Sequence, residues 1–107
     1  MMDGRVRVLV YAVAPEGQPD AVERAYHLIS SRLAGTPGLL GNELMRSIAD
    51  PAAFVVVSDW ESLPAFRHWE ETAGHRAATA PLRPYQDGSQ GPPFGIYVVS
   101  AAYGASA

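Results

Sequence analysis

The chain has 107 residues, the length of one domain, with 48% hydrophobic and 18% charged residues and a formal net charge of −3 at pH 7. That balance argues for a folded globular protein and against a nucleic-acid binder, since affinity for phosphate backbones comes mostly from clustered Lys and Arg and no basic cluster exists here. The absence of cysteine removes disulfides, thiolate nucleophiles and Cys-held metals, and fits a reducing compartment.

The opening MMDGRVRV lacks the charged-then-apolar layout of a signal peptide, and no apolar run approaches the roughly 20 residues of a membrane span. A single cytoplasmic domain over residues 1–107, with no membrane partner, is therefore expected.

In chain order, RVRVLVYAVA sets Val6, Val8, Val10 and Ala12 on one face of a strand and Leu9, Tyr11 and Val13 on the other. A turn at Pro15, Gly17 and Pro19 leads to Asp20 and Glu23, spaced as a capping box. Val22, Tyr26, Ile29 and Leu33 then recur at helical spacing until Gly35 and Pro37. LLGNELMRSI reads as a second strand, and Asp50-Pro51 turns it into a third, AFVVVSDW, as an antiparallel hairpin. Ser62 and Pro64 open a second helix with Phe66, Trp69 and Ala73 on its inner face. Gly74 interrupts it, HRAATA makes another short turn, and the Gly/Pro loop QDGSQGPP precedes a fourth strand, FGIYVVSAAY.

This order predicts an α+β, ferredoxin-like βαββαβ fold: a four-stranded antiparallel sheet with both helices on one face. The other face is apolar too, through Leu9, Tyr11 and Tyr97, so a second copy of the chain is the economical cover and a homodimer with sheets face to face is expected.

Phe54 to Tyr85 carries the chemistry, with both tryptophans and two of the three histidines. Large π-surfaces beside ionisable groups suit a pocket for a flat organic molecule, and they suit a core equally. Phe66 and Trp69 are pocket wall or core. Histidine is the natural base near neutral pH, so His75, just after the break at Gly74, leads His68 and His27 as a proton acceptor. Arg76 and Arg83 are placed to hold a phenolate or carboxylate, or are simply solvated. Tyr26 on the first helix is a candidate substrate contact, as is Tyr85, which begins a loop long enough to act as a flap. There is no metal-binding His pair, no GxGxxG after a strand and no GK[ST] loop, and Ser58-Asp59 lies in a strand rather than a nucleophile elbow.

The segments PGLLGNE, SDWES, AFRHWE and HRAATAPLRPY resemble the antibiotic biosynthesis monooxygenase family of dimeric α/β barrels, and within it the small quinone-forming oxygenases of aromatic polyketide pathways. The resemblance implies oxidation of a polycyclic phenol of anthrone type by O2, with no flavin, haem or metal cofactor. It carries the strand-3 tryptophan of the family onto Trp60, as a residue that stacks on substrate or donates to one of its oxygens, against the alternative of a structural staple. Anthrone oxygenases of the family have Asn four residues before that tryptophan, where this chain has Val56. Asn42, sharing parity with Leu40 and Leu44, is the candidate replacement, or else an Asn bonded to backbone. Two alternatives stay open: a polyketide cyclase or intermediate-binding module, and a haem-degrading relative, which requires an axial His where this chain has Thr79.

Overall fold

Alternation in the four apolar runs becomes a four-stranded sheet of β1 (Val6–Val13), β2 (Leu39–Arg46), β3 (Ala53–Trp60) and β4 (Phe94–Val98). Its spatial order is β2-β3-β1-β4, with every neighbouring pair antiparallel. Helices α1 (Ala21–Leu33), α2 (Leu63–Glu70) and α3 (Gly74–Thr79), and a 3-10 helix at Ala80–Tyr85, complete a ferredoxin-like α+β fold. The structure is a computed structural model that describes residues 4–72, 74–89 and 91–104. Among them no helix is long and apolar enough to cross a membrane.

The register of β1 separates the two faces of the sheet. Val6 stands between Trp60 and Val98, Val8 between Ser58 and Ile96, and Val10 between Val56 and Phe94, so these residues share one face. Against it α1 packs Val22, Ala25, Ile29 and Leu33, joined by Leu82 of the 3-10 helix. A second cluster gathers Val6, Val8, Trp60 and Phe66 under α2. Two adjoining cores under two helices leave a seam between them, and that seam is where the cavity opens.

Local signals account for most element ends. Ser62 is extended (φ −162°, ψ 162°) and its Oγ accepts the Ala65 N–H at 3.1 Å, with Pro64 in the first turn of α2. The start of α1 departs from expectation. Asp20 already has helical backbone angles (φ −94°, ψ 0°), makes no side-chain cap, and instead lies 4.0 Å from the Arg24 guanidinium. A side-chain cap needs extended backbone at that position, so the predicted capping box with Glu23 does not form. Gly38, at φ +84°, joins α1 to β2 where a Cβ would lie 2.5 Å from Ala65 Cβ, so only glycine lets α2 sit this close.

The predicted second strand also needs correction. A register shift between Leu39 and Gly41 bulges the chain, so Leu39 packs inward while Leu40 is 56% exposed. The bulge breaks the parity that grouped Leu40 with Asn42, whereas Leu44 keeps it and packs against the core. Beyond Arg46 the chain turns, with Ser47 Oγ accepting the N–H groups of Ala49 and Asp50. β4 ends at Val98, with one further bond from the Val99 N–H to the Arg5 carbonyl at 2.8 Å, rather than running to Tyr103.

Because β4 starts at Phe94, opposite Val10, the far half of β1 has a different edge partner. Tyr11 N–H donates to the Pro93 carbonyl and the Asp87 N–H donates to the Tyr11 carbonyl, both at 2.8 Å, and Ala12 bridges to Gln86. The face turned away from the helices carries Leu9, Tyr11, Val13, Met45 and Tyr97, with the last four partly or largely exposed. The Tyr97 ring lies over Gly95, where a Cβ would come within 2.7 Å of it. One ion pair crosses this face, Arg7 Nε donating to Asp59 Oδ1 at 2.8 Å.

Candidate active site

The seam between the two cores holds a cavity of about 310 Å³. Its floor is the sheet: Val8 and Val10 from β1, Asn42 from β2, and Val56, Ser58 and Trp60 from β3. All six lie on the helix-facing side because strand residues two apart share a face and the register aligns them. Phe66 and Trp69 of α2 form one wall, and Tyr26, Ile29, Ser30 and Leu33 of α1 form the other. Exposed Arg76, Arg83, Gln86 and Phe94 mark the mouth.

Trp60, only 1% exposed, anchors an aromatic cluster: its ring lies 5.4 Å from Phe66 in an edge-on arrangement and 5.0 Å from Trp69 at a 32° tilt. Such pairs add to area burial and hold the α2 wall against the sheet. The indole N–H is already engaged, donating to Ser58 Oγ at 3.0 Å. Trp60 therefore contributes surface and rigidity to the cavity, while its donor is committed within the protein.

A second polar group sits at the α1 side. Tyr26 donates its hydroxyl to Asn42 Oδ1 at 2.6 Å, and Ser30 Oγ donates to the same oxygen at 3.2 Å. Tyr26 and Ser30 converge because they are four residues apart on α1 and so occupy one helix face. At the mouth, Arg83 donates to Thr79 Oγ1 at 3.1 Å, and Glu70 is paired with Arg67 at 2.8 Å. Arg32 donates to the Ala77 carbonyl at 2.9 Å and ties α1 to α3.

The cavity gathers Trp60, Asn42, Tyr26, Phe66, Trp69, Arg76 and Arg83, all expected from sequence. His68, expected beside them, projects from the exposed flank of α2 and does not line it, and His27 is exposed on α1. Tyr85 packs instead against the core under α1. His75 falls in α3, with its side chain outside the described residues. Sequence reasoning missed Ser58 and Ser30. The signal was present: Ser58 stands two residues before Trp60 on one strand face, and Ser30 stands one helical turn after Tyr26. In the loop beyond the mouth, the Asp87 carboxyl is held below its ordinary value by hydrogen bonds from the Ser89 side chain and backbone N–H.

Sequence and structural relatives bear on the same region. The sequence profile described as antibiotic biosynthesis monooxygenase matches residues 5–81, most of the sheet and all of α1, α2 and α3. The chain belongs to the antibiotic biosynthesis monooxygenase family. Protein SchA of Streptomyces halstedii is 34% identical over 90 residues, which are 83% of this chain and 24% of SchA, so the chain spans about a quarter of that relative. A mycobilin-producing heme oxygenase of Mycobacterium tuberculosis is 32% identical over 69 residues, 59% of this chain and 66% of that protein. Among solved folds, a variant of SnoaB, a cofactor-independent oxygenase from Streptomyces nogalater, superimposes with a TM-score of 0.73 at 18% identity, covering 95% of this chain and 97% of SnoaB. At that identity the likeness establishes the fold that this family member shares.

Proposed function

We propose that the protein is a cofactor-independent monooxygenase that oxidises a polycyclic phenolic intermediate of anthrone type to a quinone with O2. The observation that carries this reading is the cavity itself: flat aromatic surfaces from Trp60, Phe66 and Trp69, with a cluster of hydroxyl and amide groups from Tyr26, Ser30, Asn42 and Ser58 on its α1 and sheet side. Aromatic walls with few convergent polar groups are what an oriented planar ligand requires.

The chemistry needs little from the protein. Loss of the phenolic proton gives an electron-rich anion that passes one electron to O2; the resulting carbon radical and superoxide combine to a peroxide. The peroxide takes up the proton first lost by the phenol, and departure of the ring-carbon proton with cleavage of the O–O bond then releases water and leaves the carbonyl. Orientation of the ring, stabilisation of the anion and exclusion of solvent are the protein's tasks. Asn42 and Trp60 are assigned to orientation. Arg76, exposed at the mouth, suits an anionic substituent that protrudes from the cavity.

The apolar open face around Leu9, Tyr11, Val13 and Tyr97 supports a homodimer joined sheet to sheet. One observation favours a second reading. Val56 lines the cavity at the position where the anthrone oxygenases have Asn, which fits a cyclase or an intermediate-binding module equally well. Oxygen uptake with anthrone separates the two: consumption above the uncatalysed rate supports the oxygenase, and ring closure or tight binding without consumption supports the module. A haem-degrading role finds less support, because this chain has Thr79 where those relatives carry the axial histidine.

A further inference from the structure

We infer that Asn42 and Ser58 form a paired donor site for one anionic or carbonyl oxygen of the ligand, with Tyr26 and Ser30 as the positioning residues that fix its polarity. The inference rests on the proposed aromatic ligand and adds where its charged oxygen is held and by which atoms.

Asn42 and Ser58 are direct cross-strand partners in the β2–β3 ladder, and both line the cavity. Directly opposed residues on one face of a sheet bring their Cβ atoms to roughly 5 Å, close enough for both side chains to reach one atom. The Asn42 oxygen is fully committed as an acceptor, and the Ser58 oxygen already receives one bond. Asn42 Oδ1 accepts from Tyr26 at 2.6 Å and from Ser30 at 3.2 Å, and Ser58 Oγ accepts from the Trp60 indole at 3.0 Å. An amide whose oxygen is held by two hydroxyls must turn its NH2 the other way. A hydroxyl whose oxygen receives an indole N–H has its own hydrogen left to give.

Neither remaining donor has a partner among the described residues, the unpartnered Asn42 nitrogen is not a buried atom, and both side chains line the cavity. The protein thus presents two donors from these two side chains, and one lone pair of Ser58 Oγ is the acceptor capacity left beside them. Two converging donors favour an oxygen that bears negative charge or lone pairs, a phenolate or a quinone-type carbonyl, over a ligand hydroxyl. It also gives a use to the indole N–H: Trp60 acts on the ligand oxygen through Ser58.

The test is the ionisation of a bound probe, 2-hydroxyanthraquinone, whose anion absorbs at longer wavelength than its neutral form. Binding is followed by quenching of tryptophan fluorescence, and the probe's apparent pKa by absorbance at saturating protein. Burial in an apolar cavity raises a phenol's pKa and donors lower it, so the informative comparison is between variants that keep the burial. Ser58→Ala should raise the bound probe's pKa by roughly 1 pH unit, the size of one charge-assisted hydrogen bond. Asn42→Asp keeps the acceptor for Tyr26 and Ser30 but turns a donor into a negative charge, and should raise it by more. Tyr26→Phe combined with Ser30→Ala frees the amide to flip and should give a partial rise, while Tyr26→Phe alone gives less.

Melting curves identify any variant that fails to fold, and the isosteric Asn42→Asp stands in for larger changes. An unchanged probe pKa in Ser58→Ala and Asn42→Asp, with quenching intact, overturns the donor pair and leaves the aromatic cavity standing. No quenching by the unaltered protein overturns the proposed ligand class and the donor pair together.

Discussion

The indole N–H of Trp60 donates to the Ser58 hydroxyl at 3.0 Å, two residues back along β3, so the largest buried side chain of the fold is bonded to a group on the cavity floor. Trp60→Phe keeps a ring against Phe66 and Trp69 but removes that bond and some buried volume. The expected loss is about 1–3 kcal/mol, seen as a lower melting temperature. Turnover should fall by roughly 10-fold or more, because the Ser58 hydrogen is no longer directed at the ligand. A variant that melts early yet turns over normally would leave Trp60 a staple only.

Gly38 holds α2 close to the sheet. Gly38→Ala meets Ala65 Cβ at 2.5 Å and also places an alanine at φ +84°. Since each fault alone is costly, a destabilisation of about 1–3 kcal/mol is expected by chemical denaturation. Relief requires α2 to move outward, and with it Phe66 and Trp69, so affinity for an aromatic probe should fall as well.

Leu9 sits on the central strand β1, on the face turned from the helices. Leu9→Glu sets a charge into the apolar surface proposed to join two copies. Light scattering should find dimers of the unaltered protein at micromolar concentration and monomers of the variant. Persistent dimers in the variant would move the interface elsewhere.

His68 points to solvent from α2, outside the cavity lining. His68→Ala should change stability by no more than about 0.5 kcal/mol, as surface substitutions usually do. Its oxygen uptake should follow that of the unaltered protein at every pH tested.

Arg76 lines the mouth with its side chain exposed. Arg76→Gln should raise KM for a ligand carrying a carboxylate and leave kcat nearly unchanged, since a contact at the mouth serves ground state and transition state alike. For the unaltered protein the same KM should rise with salt, because an exposed charge is screened over about 10 Å at 0.1 M ionic strength. An uncharged ligand should show neither effect.

Much of the fold was readable from pattern alone. The run AFVVVSDW forms β3 with both ends as expected, since a strand with apolar and polar residues at fixed parity, closed by a Ser-Pro helix start, leaves little freedom. Where tertiary context intervened, reading by parity failed. The bulge between Leu39 and Gly41 turned Leu40 outward, and β4 ended at Val98, five residues short of Tyr103. At the site, aromatic residues were legible because size and spacing identify them. Ser58 and Ser30 were passed over although their spacing from Trp60 and Tyr26 could be read, because a serine acquires its role only from its partners, and strand register and helix packing set those. Histidines drew attention through their chemistry, and His68 shows that chemistry without orientation does not locate a site.

The tie between β1 and the loop after Tyr85 has a further effect. Backbone groups of Tyr11 that would otherwise stand free at the sheet's margin are occupied by Pro93 and Asp87, so this half of β1 offers no template on which a foreign strand could add. Gln86, bridged to Ala12, is also part of the cavity mouth. A Gly- and Pro-rich segment thereby closes this stretch of the sheet's margin and frames the entrance. Changes that retune the entrance must keep those two backbone bonds, and those that break them trade selectivity for aggregation.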